Sequence, residues 1–199
     1  MQELISEYQK SKKEIKARLE HFSRIPKEDY FYELCFCILT PQSNAKQCDK
    51  AVQDLIKRKY KEKNIDPHQS IATIRFHNNK AGYMREMKNK FDEIKKAMDE
   101  IKDNQELREW LVKNVKGISY KESAHFLRNV GYRNLAILDR HILKNLVKYG
   151  GIKELPKTLT KKKYFEIENQ FKEFSKKVNI PIDELDLLFW SMEAGEIFK

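Results

Sequence analysis

The chain has too few cysteines for a disulfide framework or a cysteine-ligated metal centre. Its three cysteines, Cys35, Cys37 and Cys48, are an odd number and show no C-x-x-C spacing. Disulfide scaffolds and zinc or iron–sulfur sites need paired or regularly spaced cysteines. We therefore expect no disulfide, no bound metal and no iron–sulfur cluster.

Long hydrophobic runs are also missing. The longest apolar stretch, YFYELCFCIL at residues 30–39, includes Glu33 and is too short to cross a bilayer. The first 22 residues carry charges throughout, unlike a secretory signal peptide. These absences predict a cytoplasmic protein without a membrane partner.

Residues that break helices are scarce, with six glycines and five prolines among 199 residues. Apolar residues recur at helical spacing, and no segment alternates like a strand. The sequence therefore predicts an all-α protein. The predicted helices lie near residues 2–22, 29–39, 44–59, 66–74, 78–100, 105–113, 120–129, 139–149, 161–177 and 183–197. Residues 183–197 are apolar on two sides, which predicts a buried helix or one at an interface between lobes.

Acidic residues are outnumbered by basic ones. Lysine and arginine total 40 against 30 aspartates and glutamates, a formal net charge of +10. An excess of this size favours a polyanionic partner, because each phosphate contact releases condensed counterions. The same composition also serves solubility or a heat-adapted surface.

One lysine stands at an unusual place. Ser119-Tyr120-Lys121-Glu122 reads as a capping box, so Lys121 falls in the first turn of a helix. The macrodipole there disfavours an ammonium, and His125 and Arg128 add positive charge one and two turns on. These effects favour a free amine, which is a nucleophile and forms Schiff bases. The alternative is an ordinary surface lysine.

The surroundings of this lysine also suggest a phosphate site. The segment LREWLVKNV precedes Gly117-Ile118-Ser119, which makes a helix–hairpin–helix unit with backbone N–H groups open at a helix start. Asp139 follows Lys121 by eighteen residues, directly before another predicted helix. An N-cap is its simplest role.

Four motifs in order resemble the helix–hairpin–helix DNA glycosylase superfamily, which includes endonuclease III. The hairpin Val115–Ser119 followed by Lys121 is similar to the family's L-P-G-V-G and catalytic lysine, with Ser119 in place of the second glycine. The other three matches are the D-x-H segment that begins at Asp139, LTPQS at 39–43 and FHNNKA at 76–81.

The departures from endonuclease III indicate one branch of that superfamily. No cysteine follows Cys48, and the chain ends in LLFWSMEAGEIFK. Both features resemble the second type of 8-oxoguanine DNA glycosylase/AP lyase, the short prokaryotic branch. The resemblance implies two helical lobes with a cleft between them. One lobe would comprise residues 1–29 and 139–199, and the other residues 30–138, with the helix–hairpin–helix at about 105–130.

The resemblance also implies a chemistry that needs no cofactor. Lys121 would attack C1′ of a flipped nucleotide and displace the base, with Asp139 stabilising the developing positive charge. The Schiff base would then permit β-elimination, which nicks the strand. The expected partner is double-stranded DNA containing 8-oxoguanine, bound by a monomer associated with the nucleoid.

Further roles come from the same resemblance. Gln42 would fill the gap left by the flipped nucleotide, and Lys199 would help to distinguish 8-oxoguanine from guanine. Trp190 would help to form the base pocket, and Phe76 would contact the base or lie in the core. The hairpin, through residues 117 and 119, would contact the DNA backbone.

Two other functions stay open at this point. A non-catalytic helix–hairpin–helix module that only grips DNA would explain the charge and the hairpin. The same chemistry on another oxidised base, such as an oxidised pyrimidine, would explain the catalytic pair.

Overall fold

The computed structural model describes all 199 residues and is entirely helical, as predicted. None of its helices is both long and apolar enough to cross a membrane. A single 3₁₀ turn spans Lys27–Asp29. The α-helices are α1 Gln2–Ser23, α2 Tyr30–Leu39, α3 Ala45–Lys57, α4 His68–Ile71, α5 His77–Asn89, α6 Phe91–Glu100, α7 Asn104–Asn114, α8 Tyr120–Asn129, α9 Arg140–Lys148, α10 Lys161–Val178 and α11 Ile182–Ala194.

The single helix predicted over residues 78–100 is wrong, because the chain breaks at Lys90 between α5 and α6. The Lys90 N–H donates to the carbonyls of Glu86 and Met87, which closes α5. Phe91 then starts α6 and is buried. No proline or glycine marks this break; the only local signal is the acidic pair Asp92 and Glu93 in the first turn of α6.

The last helix ends earlier than predicted. Gly195 adopts φ 80 and its N–H donates to the Ser191 carbonyl, so α11 stops at Ala194 and not near residue 197. A left-handed glycine is a common way to end a helix. Ile197 beyond the turn is still buried. Residues 182–189 are all buried, as the two-sided apolar pattern predicted.

The chain divides into two compact units. The split unit comprises Met1–Arg24 and Leu127–Lys199, and the middle unit comprises Ile25–Phe126. The sequence analysis predicted that the second boundary between the two lobes lies directly before Asp139. In the structure the corresponding boundary between the units lies inside α8, between Phe126 and Leu127.

Hydrogen bonds explain why the residues before Asp139 belong to the split unit. The Arg133 guanidinium donates to the Leu19 carbonyl of α1 at 2.6 Å. The Ala136 N–H donates to the Glu168 carboxylate of α10 at 2.8 Å. The sequence pattern indicates where helices start, and it does not predict hydrogen bonds between residues so far apart in the chain.

The middle unit is built around α2, which is buried along nearly its whole length and packs against α3 and α5. Phe31 lies at the centre of an aromatic cluster, with ring centroids 5.1 Å from Phe91, 5.2 Å from Tyr32 and 5.9 Å from Tyr60. Burial of these large rings supplies much of the unit's hydrophobic stabilisation.

The split unit is built around α11. The Phe189 ring stacks with Tyr149 of the turn after α9 at 5.9 Å and with Phe171 of α10 at 6.1 Å. Two buried acidic residues of α11 are paired: Tyr8 of α1 donates to Glu184 at 2.5 Å, and Arg128 lies 3.3 Å from Asp186. These contacts join α1, α8 and α11, since buried carboxylates require such partners.

Candidate active site

Lys121 is the second residue of α8, directly after the predicted hairpin. The backbone N–H of Ser119 donates to the Glu122 carboxylate at 3.0 Å, and the Ser119 hydroxyl donates to the same carboxylate. The carboxylate half of the predicted capping box is therefore confirmed. The other oxygen of Glu122 lies 3.1 Å from the Lys121 Nζ, whose side chain is 22% exposed.

The expectation that the environment of Lys121 favours a free amine did not include this carboxylate partner. That expectation counted only the positive charges nearby, and a carboxylate in contact stabilises the ammonium. Burial raises the pKa of Glu122, but the charge of Lys121 and the hydrogen bonds from Ser119 outweigh it and leave the pKa lowered. His125 is buried, and its ring centroid lies 5.6 Å from that of Phe36.

The hairpin needs a glycine at one position only. Gly117 adopts φ 87, and a Cβ at this residue would collide with the Tyr83 ring of α5. Ser119 does not share the left-handed conformation, so serine fits where the family has a second glycine. Lys116 pairs with Glu86 of α5 at 2.9 Å, which holds the hairpin against that helix.

The predicted contact between Ser119 and the DNA backbone would compete with these bonds. Its N–H and its hydroxyl both donate to Glu122, so neither is available to a phosphate unless that bond breaks. Gly117 precedes the capping box. Gly117, the other hairpin residue predicted to contact the DNA backbone, makes neither of these bonds.

Gln42 lies in the loop between α2 and α3 and is exposed. Its backbone is left-handed, with φ 53, which non-glycine residues seldom adopt. The Lys80 ammonium of α5 donates to the chain on both sides of it. The loop therefore presents an exposed glutamine from a backbone fastened to α5.

Phe76 directly precedes α5 and is also left-handed, with φ 59. Its side chain is 49% exposed, so the alternative of a core residue is wrong. The Arg75 guanidinium lies 4.9 Å from the Phe76 ring centroid, a cation–π contact that holds the ring on the surface. An exposed ring supported in this way can stack on a base.

Asp139 lies directly before α9 and caps it, as its sequence position predicted. Its carboxylate accepts hydrogen bonds from the N–H groups of His141 at 2.8 Å and Ile142 at 2.9 Å. The His141 ring lies 3.5 Å from the Glu193 carboxylate of α11. These contacts fix the carboxylate at the start of α9.

The last residues of the chain return towards Trp190. After the Gly195 turn, the Phe198 ring centroid lies 6.0 Å from that of Trp190. Trp190 and Lys199 are both half-buried. The buried side chain of Ile197 anchors the segment. The two residues predicted to recognise the base are therefore held near the same end of α11.

The structure thus groups the predicted residues within each unit. Lys121, the hairpin, Gln42 and Phe76 belong to the middle unit, and Asp139, Trp190 and Lys199 belong to the split unit. No group of three or more His, Cys, Asp and Glu side chains has an arrangement that could hold a metal ion.

Two residues of this site escaped the sequence reasoning. Glu122 was recognised as a helix cap but not as the ionic partner of Lys121. Lys80 was recognised as part of a motif but was given no role. The signal for Glu122 was its position next to Lys121, whereas nothing in the sequence indicated which carbonyls Lys80 reaches.

Comparison with known proteins gives consistent matches over the whole chain. A protein-family model described as 8-oxoguanine DNA glycosylase matches residues 15–180. The 8-oxoguanine DNA glycosylase/AP lyase of Fusobacterium nucleatum is 47% identical to this chain, over 96% of the chain and 94% of that relative.

Two solved structures are similar in fold and sequence. The Methanocaldococcus jannaschii 8-oxoguanine glycosylase/lyase, in complex with a 15mer DNA containing 8-oxoguanine, matches with a TM-score of 0.85 and 33% identity, covering 100% of both chains. The 8-oxoguanine DNA glycosylase of Thermotoga maritima matches with a TM-score of 0.88 and 30% identity, over 100% of this chain and 97% of that one.

Proposed function

Since the chain belongs to the 8-oxoguanine DNA glycosylase family, we propose that it excises 8-oxoguanine from double-stranded DNA and then nicks the strand as an AP lyase. Its helices have the helix–hairpin–helix DNA glycosylase fold. The single observation that carries the proposal is the half-buried Lys121, held by Glu122 at the start of the helix that follows the hairpin.

The reaction begins with extrusion of the damaged nucleotide, because its glycosidic bond is inaccessible inside the duplex. Only the free amine of Lys121 is a nucleophile, so an ammonium at this position must lose a proton before it reacts. Its nitrogen then bonds to C1′ while the bond from C1′ to the base breaks, and the base leaves with that electron pair. The carboxylate of Asp139 stabilises the positive charge that develops at the sugar.

The strand is cut in a second step. Opening of the sugar ring converts the adduct with Lys121 into a Schiff base, which acidifies the proton on C2′. Removal of that proton breaks the bond from C3′ to the phosphate oxygen, and hydrolysis then releases the enzyme.

The proposal also assigns residues that recognise the DNA and the damaged base. Gln42 fills the gap left by the extruded nucleotide, and Phe76 stacks on a base near the lesion. Trp190 and Lys199, which lie near the same end of α11, contact the flipped base and distinguish 8-oxoguanine from guanine. The hairpin, through Gly117 and Ser119, binds a backbone phosphate.

A covalent trap tests the chemistry. Sodium borohydride reduces the Schiff base, so the wild-type chain should form a stable adduct with a duplex that holds 8-oxoguanine opposite cytosine. Lys121→Gln should form none. The control is Lys176→Gln, which removes an exposed lysine of α10 and should still give the adduct.

The remaining alternatives predict different results. A non-catalytic DNA-binding module would bind the duplex but give no adduct with the wild-type chain. An enzyme for another oxidised base would give a faster reaction on that base, and duplexes that each carry one defined lesion would show it. Because the proposed catalytic residues come from one chain, we also propose a monomer that works on the nucleoid.

A further inference from the structure

Lys80 is a buried lysine whose ammonium has three hydrogen-bond acceptors. The side chain belongs to the first turn of α5, and the residue is only 4% exposed. Its Nζ donates to the Leu39 carbonyl at 2.7 Å, the Pro41 carbonyl at 2.8 Å and the Ser43 hydroxyl at 2.9 Å. An ammonium has three protons to donate, so its donor capacity is filled.

Two of the three acceptors, Pro41 and Ser43, are the immediate neighbours of Gln42 in its loop, and the third, Leu39, is the last residue of α2. Gln42 itself makes none of these bonds, is exposed and has φ 53. A non-glycine residue in this region stores strain that persists only when the surroundings impose it. The bonds from Lys80 to Pro41 and Ser43 are such a constraint, because they fix the chain on both sides of the strained residue.

The charge of this side chain is costly at such a place. Burial lowers the pKa of Lys80, and the nearby Cys48 and Glu122 oppose this only in part. A hydrophobic residue would fill the volume without this cost. A neutral hydrophobic side chain, however, would leave the two carbonyls and the hydroxyl without their common donor.

We propose that Lys80 is a positioning residue for Gln42. It holds the loop at residues 39–43 in the conformation in which Gln42 enters the DNA stack, so that the glutamine is ordered before DNA binds. The proposal rests on the proposed function, since it assigns a role to Lys80 through the insertion step of that reaction. Ordering the loop in advance lowers the entropy cost of insertion.

The proposal predicts that loss of the Lys80 ammonium slows the extrusion of the damaged base and leaves the later chemical steps unchanged. Lys80→Met should slow single-turnover excision of 8-oxoguanine from a duplex by about tenfold, the order expected when buried acceptors lose their donor. Gln42→Ala should slow the same step. Because both substitutions remove one function, the double variant should be no slower than the slower single variant.

A substrate that needs no extrusion separates positioning from general damage. A single-stranded oligonucleotide with an abasic site has no stack to fill, and its borohydride trapping by Lys80→Met should equal that of the wild-type chain. The matched control is Lys88→Met. Lys88 lies on the same helix and donates to the carbonyls of Tyr60 and Lys63, so it loses comparable bonds away from Gln42 and should keep wild-type excision from the duplex.

A milder variant covers the case in which Lys80→Met does not fold. Ser43→Ala removes one of the three acceptors and should slow duplex excision a few-fold, with no further loss when combined with Gln42→Ala. The proposal is overturned if the effects of the loop variants and Gln42→Ala multiply, or if trapping of the single-stranded abasic site falls as far as duplex excision. Failure of the proposed function looks different, because the wild-type chain itself would then not excise 8-oxoguanine from the duplex.

Discussion

The carboxylate of Glu122 lies 3.1 Å from the ammonium of Lys121, and both belong to the first turn of α8. The pKa of Glu122 is lowered in the folded chain, although burial opposes this. An acid with a lowered pKa stabilises the fold above its ordinary pKa, and that contribution is lost as the pH falls through the folded-state value.

Glu122→Gln should therefore destabilise the fold at neutral pH and much less in acid. The difference in unfolding free energy between wild type and variant should shrink as the pH falls below about 4.5, the ordinary value of the carboxyl. Denaturant unfolding at a series of pH values measures it. Glu166→Gln, which removes an exposed partner of Lys163, should stay close to wild type throughout. A difference for Glu122→Gln that does not change with pH would contradict this account.

Substitution by alanine should change the stability of the chain in opposite directions at Gly117, which lies against the Tyr83 ring, and at Gly82, which precedes Tyr83 in sequence. Gly117→Ala combines a positive φ with a collision against the Tyr83 ring, so it should destabilise the chain by about 1–3 kcal/mol. Gly82 lies inside α5, where a Cβ has nothing within 4 Å, so Gly82→Ala should stabilise it by about 0.5–1 kcal/mol. Thermal unfolding of both variants checks the pair, and equal signs would refute it.

Asp139 has two roles that different substitutions separate. Asp139→Asn keeps an oxygen that can cap α9 through the N–H groups of His141 and Ile142, so stability should change little. Asp139→Ala loses the cap and should cost about 1 kcal/mol. Both lose the charge and should slow excision by about a hundredfold or more. Denaturant unfolding and single-turnover excision measure these two effects for each variant. Full activity of Asp139→Asn would contradict the proposed role of the carboxylate.

Lys199→Ala should affect the base and not the sugar chemistry. We expect excision of 8-oxoguanine to fall by about tenfold, the order of one lost hydrogen bond to a charged group. Cleavage of an abasic duplex, which has no base to recognise, should remain near wild type. The ratio of the two rates is the measurement. A parallel loss on both substrates would mean that Lys199 acts on the DNA backbone or on folding.

The sequence predicted the local features of the site because they follow from neighbours in the chain. The capping role of Asp139 and the carboxylate contact of Ser119 both depend on residues within three positions. The class of fold was also predictable, since helical spacing persists through nearly all of the chain.

What the sequence could not show depends on contacts between distant residues. Lys80 reaches carbonyls in a loop that precedes it by about forty residues, and no spacing rule connects the two. The second segment of the split unit, which begins at Leu127, is held by bonds to α1 and α10. The ion pair of Lys121 was missed for another reason, because only the surrounding cations were considered.

The burial of the three cysteines affects how readily this enzyme is oxidised. Cys35, Cys37 and Cys48 are all fully buried in the middle unit. Burial raises the pKa of the Cys35 thiol, and it raises that of Cys48 to about 11. Peroxides attack exposed thiolates, so these sulfurs are shielded both sterically and by their protonation. We therefore expect peroxide to leave these three thiols reduced for as long as the middle unit stays folded.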